Sequence, residues 1–85
     1  MWKVTATRQA AKGLAKLPKR VLLIYRVLVE DLEREGPWPH GWDVKQLKDR
    51  PELRIRLNRE YRVLVVVAAP ELIVVRIAHR KEVYE

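Results

Sequence analysis

The 85-residue sequence contains no cysteine and no phenylalanine, and it has only three glycines. Without cysteine, neither a disulfide framework nor a thiolate metal site can form, which fits the reducing cytoplasm as the expected location. No apolar run approaches the roughly 20 residues that cross a bilayer as a helix. Residues 1–5 also lack the basic start and apolar stretch of a signal peptide. We therefore predict a single cytoplasmic domain over residues 1–85, without a membrane partner.

Basic residues outnumber acidic residues by 18 to 11, so the net charge is +7 at neutral pH. The excess is +3 over residues 1–44 (eight basic, five acidic) and +4 over residues 45–85 (ten basic, six acidic). Charge spread in this way belongs to a folded body rather than to a disordered tail, and it favours a polyanionic partner. A surface rich in ion pairs is the structural alternative.

Hydrophobic periodicity predicts the order of the elements. Apolar residues alternate over residues 2–6, which is typical of a half-buried strand. Thr7 is expected to cap a short helix, and a second helix is predicted over residues 18–35, where Gly36 ends it. The period then changes to two in residues 53–57, 61–67 and 72–78, with short turns between them. The predicted fold is α+β in the order β-α-α-β-β-β, with a helical hairpin packed on one face of a small antiparallel sheet.

Alternation within the last three predicted strands assigns their side chains to two faces. One parity is apolar throughout, includes Ile73 and Val75, and is expected to face the helices. The opposite parity collects five arginines, namely Arg54, Arg56, Arg62, Arg76 and Arg80. The apolar residues predicted to share that face and to be open to a partner are Leu64, Val66, Leu72 and Val74. A homodimer that buries this strip is the structural alternative.

This residue set suits the chemistry of RNA. The planar fork of arginine donates two hydrogen bonds to a phosphate, and Tyr84 can stack on a base. The sequence has no glycine-rich phosphate loop, no Ser-His-Asp arrangement and no carboxylate cluster for magnesium, so any reaction is expected to need no metal and no cofactor. RNA permits such a reaction because its 2′-hydroxyl can attack the neighbouring phosphate. His79 has a suitable intrinsic pKa for proton transfer. Strict alternation points it away from Arg80, so this role requires a twist or bulge at the end of the strand.

Several stretches resemble the RelE/ParE toxin superfamily. They are LRIRLNREYRVLVVV in residues 53–67, RIAHRKEVYE in residues 76–85, the A-K-x-L-x-K-L-P pattern in residues 11–18 and VKQLK in residues 44–48. The retained basic residues and tyrosine make the chain similar to the RelE-like branch. The resemblance implies the toxin of a type II toxin–antitoxin pair that cleaves mRNA on the ribosome. Its partners would be a cognate antitoxin, in a toxin–antitoxin hetero-oligomer, and the ribosome with its mRNA.

The resemblance also implies roles for individual residues. Arg54 and Arg56 would hold the RNA backbone, Arg62 would stabilise the pentacoordinate phosphate, Arg80 would act near the leaving 5′-oxygen, and Tyr84 would orient the nucleotide. Further RNA contacts are expected from Lys45, Lys48, Arg76 and Lys81. Contact with the antitoxin is expected from Leu64, Val66 and Val74.

One departure from the family pattern leaves the function open. The pattern has lysines at the positions of Arg54 and Arg56, and arginine is a poor general base at neutral pH. Proton transfer would then fall to His79, Glu60, Glu82 or Tyr84. A ParE-like inhibitor of DNA gyrase and a binding-only member of the fold are the alternatives to a ribonuclease.

Overall fold

The computed structural model describes residues 1–84, so Glu85 lies outside it. The elements follow the order β1 (Lys3–Ala6), α1 (Arg8–Ala15), α2 (Lys19–Glu35), β2 (Val44–Gln46), β3 (Leu53–Arg56), β4 (Tyr61–Ala68) and β5 (Glu71–His79). The sheet has the strand order β1-β5-β4-β3-β2. Strand β1 runs parallel to β5, and the other neighbours are antiparallel.

The predicted α+β class is confirmed, as is the helical hairpin on one face of the sheet. Two details differ from the sequence prediction. The short edge strand β2 was not predicted, and the sheet is mixed rather than antiparallel. Strand β1 can run parallel to β5 because no hairpin joins the two strands, and the two helices and three other strands separate them in the chain. Neither helix described in residues 1–84 is long and apolar enough to cross a membrane.

Short-range chemistry sets the ends of the helices. Thr7 caps α1 as predicted, because its Oγ1 accepts a hydrogen bond of 3.2 Å from the backbone N–H of Ala10. The same hydroxyl donates to the carbonyl of Val75 at 3.3 Å, which joins the start of the helix to β5. Helix α2 ends where Gly36 adopts a φ of +92°, a conformation that glycine tolerates at little cost.

The hydrophobic core lies between the helices and one face of the sheet. The helices contribute apolar side chains at helical spacing, and β3, β4 and β5 contribute alternate residues. Its buried members are Ala10, Val21, Tyr25, Leu28, Leu32, Ile55, Leu57, Val63, Val65, Leu72, Val74 and Ile77. Burial also raises the pKa of the Tyr25 hydroxyl.

A β-bulge interrupts the pairing of β4 with β5. Leu64 pairs with Arg76, but the next residue of β4, Val65, pairs with Val74. Val75 is therefore the extra residue on β5. Because of the extra residue, the side chains on one side of the bulge point to the sheet face opposite to the one that strict alternation predicts.

The bulge overturns part of the predicted face assignment. Leu72 and Val74 are fully buried members of the core, and Ile73 and Val75 point to the opposite face, where they are half-buried. The prediction was wrong for these four residues because strict alternation carries no information about an inserted residue. Beyond the bulge, Ile77 lies in the core and Arg76 on the other face, as predicted.

Gly13 allows α1 to approach β5 closely. A Cβ atom placed on Gly13 would lie 2.3 Å from the carbonyl oxygen of Ile77, closer than such atoms come without a shift of the backbone. Glycine inside a helix lowers its stability by about 1 kcal/mol relative to alanine. Gly13 therefore lowers the intrinsic stability of α1 but allows the helix to pack closely against the sheet.

We predict that Gly13→Ala lowers the free energy of unfolding by about 1–3 kcal/mol, which is typical of an overpacked site, although alanine is the better helix former. Urea denaturation of the two proteins measures the difference. Ala11→Gly, at an exposed position of the same helix, is the matched control and is expected to lose about 1 kcal/mol through propensity alone. A Gly13→Ala variant more stable than the original protein would contradict the packing argument.

Candidate functional site

The sheet face opposite the helices carries four arginines, Arg54, Arg56, Arg62 and Arg76, and is called here the arginine face. The register places them in two rows, because residues directly paired across neighbouring strands share a face. One row runs Lys45, Arg54, Leu64, Arg76, and the other runs Arg56, Arg62, Ala78. The predicted RNA contact Lys45 therefore lies on this face beside Arg54, exposed to solvent.

Asp43 is a carboxylate at the edge of the arginine face. Its Oδ1 lies 3.4 Å from Nη2 of Arg54, and its Oδ2 lies 3.3 Å from Nε of Arg56. The contact follows from the pairing of β2 with β3, since the backbone N–H of Arg56 donates to the carbonyl of Asp43. Asp43 is absent from the predicted site because β2 was not predicted, and nothing else in the sequence places this residue beside the arginines.

Arg62 is held by the turn between β3 and β4. Its side chain is largely buried, and its Nη1 donates to the carbonyls of Asn58, Arg59 and Tyr61 at 2.8–3.2 Å. These hydrogen bonds fix one side of the guanidinium, and its Nε and Nη2 form none within residues 1–84. Arg62 therefore has a structural role that the sequence did not indicate, and it retains donors for a ligand.

Positive charges converge on Arg62. The pKa of its guanidinium is lowered from the ordinary value, first because burial removes solvent from the charge. Arg56 and Arg54 lower the pKa further by repulsion, Arg80 does so to a smaller extent, and Tyr84 acts in the opposite direction. Arg56 is the direct cross-strand partner of Arg62, and Arg54 lies on the same face of β3 as Arg56. The structure thus places three of the predicted catalytic arginines together on one face.

The chain folds back over the arginine face after β5. Residues 80–84 form a turn, called here the C-terminal turn. The N–H of Arg80 donates to the carbonyl of Glu60 at 2.6 Å, and Nη2 of Arg76 donates to the carbonyl of Glu82 at 2.9 Å. Arg80 is therefore the first residue of this turn rather than part of the last strand.

The C-terminal turn covers the middle of the arginine face. Leu64 is 1% exposed and Val83 is 0% exposed, and neither belongs to the core beneath the helices. The expectation that Leu64 is open to a partner is wrong, because the turn itself covers that part of the face. Of the three predicted antitoxin contacts, Val74 lies in the core, Leu64 lies under the turn, and Val66 is half-buried on the arginine face.

Two donors beside Leu64 lack partners within the described residues. Nη1 of Arg54 and Nε of Arg76 are buried, and neither forms a hydrogen bond in residues 1–84. A buried donor without an acceptor costs about 1–3 kcal/mol. The covered face therefore carries buried hydrogen-bonding capacity that no group in residues 1–84 uses.

Tyr84 is half exposed and lies against Arg50, which was not among the predicted site residues. The guanidinium carbon of Arg50 is 6.0 Å from the centre of the Tyr84 ring, at the outer limit of a cation–π contact. Two hydrogen bonds to Glu52, of 3.2 and 3.0 Å, hold this guanidinium. They also lower the pKa of Glu52. Arg50 lies in the β2–β3 loop, so its approach to Tyr84 depends on the C-terminal turn.

His79 lies on the other side of the sheet. Ala78 is the cross-strand partner of Arg62, so the next residue points toward the helices, where His79 meets the ring of Tyr61 edge-on at 5.6 Å. Its Nδ1 accepts a hydrogen bond from the N–H of Lys81, and its Nε2 is 3.8 Å from Glu60. The structure therefore does not bring His79 to the arginines.

The remaining predicted RNA contacts lie on exposed segments at the edges of the face. Lys48 is in the β2–β3 loop and Lys81 is in the C-terminal turn. No group of three or more His, Asp or Glu residues within residues 1–84 is placed to hold a metal ion.

We predict that Val83→Ala loosens the C-terminal turn and lowers the free energy of unfolding by about 1–2 kcal/mol, because two buried methyl groups are lost. Hydrogen exchange at the amides of Arg80 and Val83, together with urea denaturation, measures the effect. Val67→Ala removes the same atoms from a side chain that is 42% exposed and is expected to change stability much less. An equal decrease in the free energy of unfolding of the two variants would show that Val83 does not hold the C-terminal turn against the arginine face.

No protein-family model matches the sequence, and no curated protein matches it either. Solved structures do resemble it. The chain superposes with a TM-score of 0.82 on a chain of the RelB-RelE antitoxin-toxin complex from Methanococcus jannaschii, at 22% identity over 94% of both chains. For the RelE-RelB complex from Pyrococcus horikoshii OT3 the TM-score is 0.80, at 24% identity over 95% of this chain and 97% of that one.

The YoeB-YefM complex from Staphylococcus aureus gives a TM-score of 0.76, at 17% identity over 91% of this chain and 94% of that one. Likeness at such identities establishes a shared fold. The fold implied by the sequence resemblance is thereby confirmed, and this chain has the fold of the RelE and YoeB toxins.

Proposed function

We propose that this protein is the toxin of a type II toxin–antitoxin pair and cleaves mRNA on the ribosome without a metal ion. The observation that carries the proposal is the placement of Arg54, Arg56, Arg62 and Arg76 on one sheet face, where Arg56 and Arg62 are direct cross-strand partners. Like charges held this closely repel one another, and a phosphate between them relieves the repulsion. The fold shared with the toxin of the RelB-RelE antitoxin-toxin complex supports the toxin part of the proposal.

The reaction requires the 2′-hydroxyl oxygen of one nucleotide to attack the neighbouring phosphorus atom. A P–O bond then forms to the 2′-oxygen, the bond to the 5′-oxygen breaks, and the products end in a 2′,3′-cyclic phosphate and a 5′-hydroxyl. One proton leaves the 2′-hydroxyl, and one reaches the 5′-oxygen. The arginines stabilise the additional negative charge of the pentacoordinate phosphate, which is commonly the largest catalytic effect in a site of this kind.

Proton removal falls to Asp43 in this proposal. It is the carboxylate that forms ion pairs with Arg54 and Arg56, so it already lies at the arginine face. His79 would need to cross the plane of the sheet to take this role. The position of His79 favours a second candidate function, a binding-only member of the fold with little catalytic activity.

The antitoxin is proposed to cover the arginine face. The M. jannaschii and P. horikoshii structures are complexes of toxin with antitoxin. On this chain, Val66, Ile73 and Val75 form a half-buried apolar strip on the arginine face. A segment with apolar and acidic side chains fits this combination. It reaches Leu64 only by displacing the C-terminal turn.

We predict that Arg56→Ala and Arg80→Ala each lower the cleavage rate of ribosome-bound mRNA by about 100-fold or more, because each removes a charge that stabilises the transition state. Both residues are exposed, so folding should persist, and circular dichroism checks this. Arg26→Ala on α2, also exposed, is the matched control and should cleave normally. Trapping of gyrase on broken DNA without RNA cleavage would replace the proposal with a gyrase inhibitor. Unchanged cleavage in both variants would remove the arginines from the mechanism.

We predict that Asp43→Asn separates binding from cleavage. Loss of a negative charge beside two arginines should tighten the binding of RNA several-fold at low salt. Loss of the proton acceptor should slow cleavage by about 100-fold or more. Asp49→Asn in the exposed β2–β3 loop removes the same charge away from the ion pairs and is the control. Normal cleavage by Asp43→Asn would exclude this carboxylate as the base.

A further inference from the structure

A cleft of about 720 Å³ runs between α1 and the last residues of β5, outside the arginine face. It exists because β1 pairs with β5 only as far as Val74, so the edge of β5 beyond that residue meets a helix instead of a strand. One wall is α1, and the other consists of the end of β5, Tyr61 and Glu82. Its volume lies within the range of about 300–1,000 Å³ that is usual for ligand sites.

The helical wall of this cleft is strongly basic. Arg8, Lys12 and Lys16 line it at a spacing of four residues, and all three are exposed. No carboxylate in residues 1–84 lies within ion-pair distance of any of them. Across the cleft, Arg76 adds a fourth cation, and Glu82 is the carboxylate of the lining.

The helix itself accounts for only part of this placement of charge, since Lys12 lies in the last turn, where the dipole favours a cation. Like charges four residues apart on a helix repel each other by a few tenths of a kcal/mol per pair. Arg8 also lies in the first turn, at the positive end of the helix dipole, where an acidic residue would be favoured and none is present. The charge instead gives the cleft a positive potential that attracts a polyanion.

The cleft is continuous with the arginine face. Arg76 lies on that face beside Leu64 and also lines the cleft, and Glu82 belongs to the C-terminal turn that carries Tyr84. A strand that passes Arg80 therefore meets the end of β5 and then the wall of α1. Tyr61 and His79 line the same passage with aromatic rings.

We propose that this α1 cleft is a second RNA-binding site, which holds the sugar–phosphate backbone of the strand as it leaves the arginine face. The inference rests on the proposed function for its choice of RNA. Arg8, Lys12 and Lys16 each contact a phosphate, and the cleft selects for the length of a single strand rather than for its base sequence.

The test compares short and long RNA. Fluorescence anisotropy measures the binding of a labelled trinucleotide and of a 12-nucleotide strand, both with 2′-O-methyl riboses, which cannot attack the phosphate. The proteins are the original chain, a triple variant Arg8→Gln, Lys12→Gln, Lys16→Gln, and a control Lys3→Gln, Arg20→Gln, Arg26→Gln. The control removes three exposed charges that do not line the cleft.

We expect the cleft variant to bind the trinucleotide as the original protein does and to bind the long strand about tenfold or more weakly. For the long strand, the slope of log K against the logarithm of the salt concentration should decrease in magnitude by about 2. Three phosphate contacts are lost, and each contributes about 0.7 to the slope. The control should change both affinities alike and only slightly. Equal losses on both RNA lengths, or an equal loss in the control, would overturn the inference. The inference would also be overturned if the cleft variant bound the long strand normally but no longer bound a short acidic peptide, measured in the same way.

Failure of this inference differs from failure of the proposed function. If the protein binds RNA but does not cleave it, the length dependence of binding still shows whether the cleft is occupied. If mRNA cleavage depends on Arg80 but long-strand binding does not depend on α1, only the cleft is excluded.

Discussion

The pairing of β4 with β5, with its bulge at Val75, is the constraint on which both the core and the candidate site depend. Before the bulge, β5 places Leu72 and Val74 beneath the helices, and after it Arg76 still points to the opposite face. A regular strand would have to bury Ile73 and Val75 instead. One inserted residue therefore satisfies the packing of the core and the position of the arginines together.

The arginine face combines burial with repulsion, which a stable protein ordinarily avoids. Hydrogen bonds to three carbonyls and the ion pairs of Asp43 compensate part of this energy. The remainder is seen in the lowered pKa of Arg62 and in one donor each on Arg54 and Arg76 that has no partner within residues 1–84. A phosphate bound at this face would reduce the repulsion between the arginines and would accept hydrogen bonds from the free donors. The repulsion and the free donors lower the stability of the free protein, and the same two features favour an anionic ligand.

The fold was predictable from the sequence because its signals are local. The Thr7 cap, the Gly36 stop and the two hydrophobic periods each act within a few residues. The location of four arginines on one face also followed from alternation. The bulge at Val75 and the strand β2 with Asp43 did not follow, because each depends on pairing with residues distant in the chain. The burial of Leu64 was missed for the same reason, since the C-terminal turn reaches it only through the tertiary fold.

The contact between Arg50 and Tyr84 has a consequence for selectivity. A cation–π contact at an exposed position contributes about 0.5–1 kcal/mol, and a base stacked on an aromatic ring contributes about 1–3 kcal/mol, with little regard to its identity. A nucleobase that replaces Arg50 on the ring gains at most about 2.5 kcal/mol, and this gain depends little on which base it is. If RNA is the ligand, Tyr84 stacks on any of the four bases. Any preference for particular codons then has to come from the ribosome or from hydrogen bonds elsewhere.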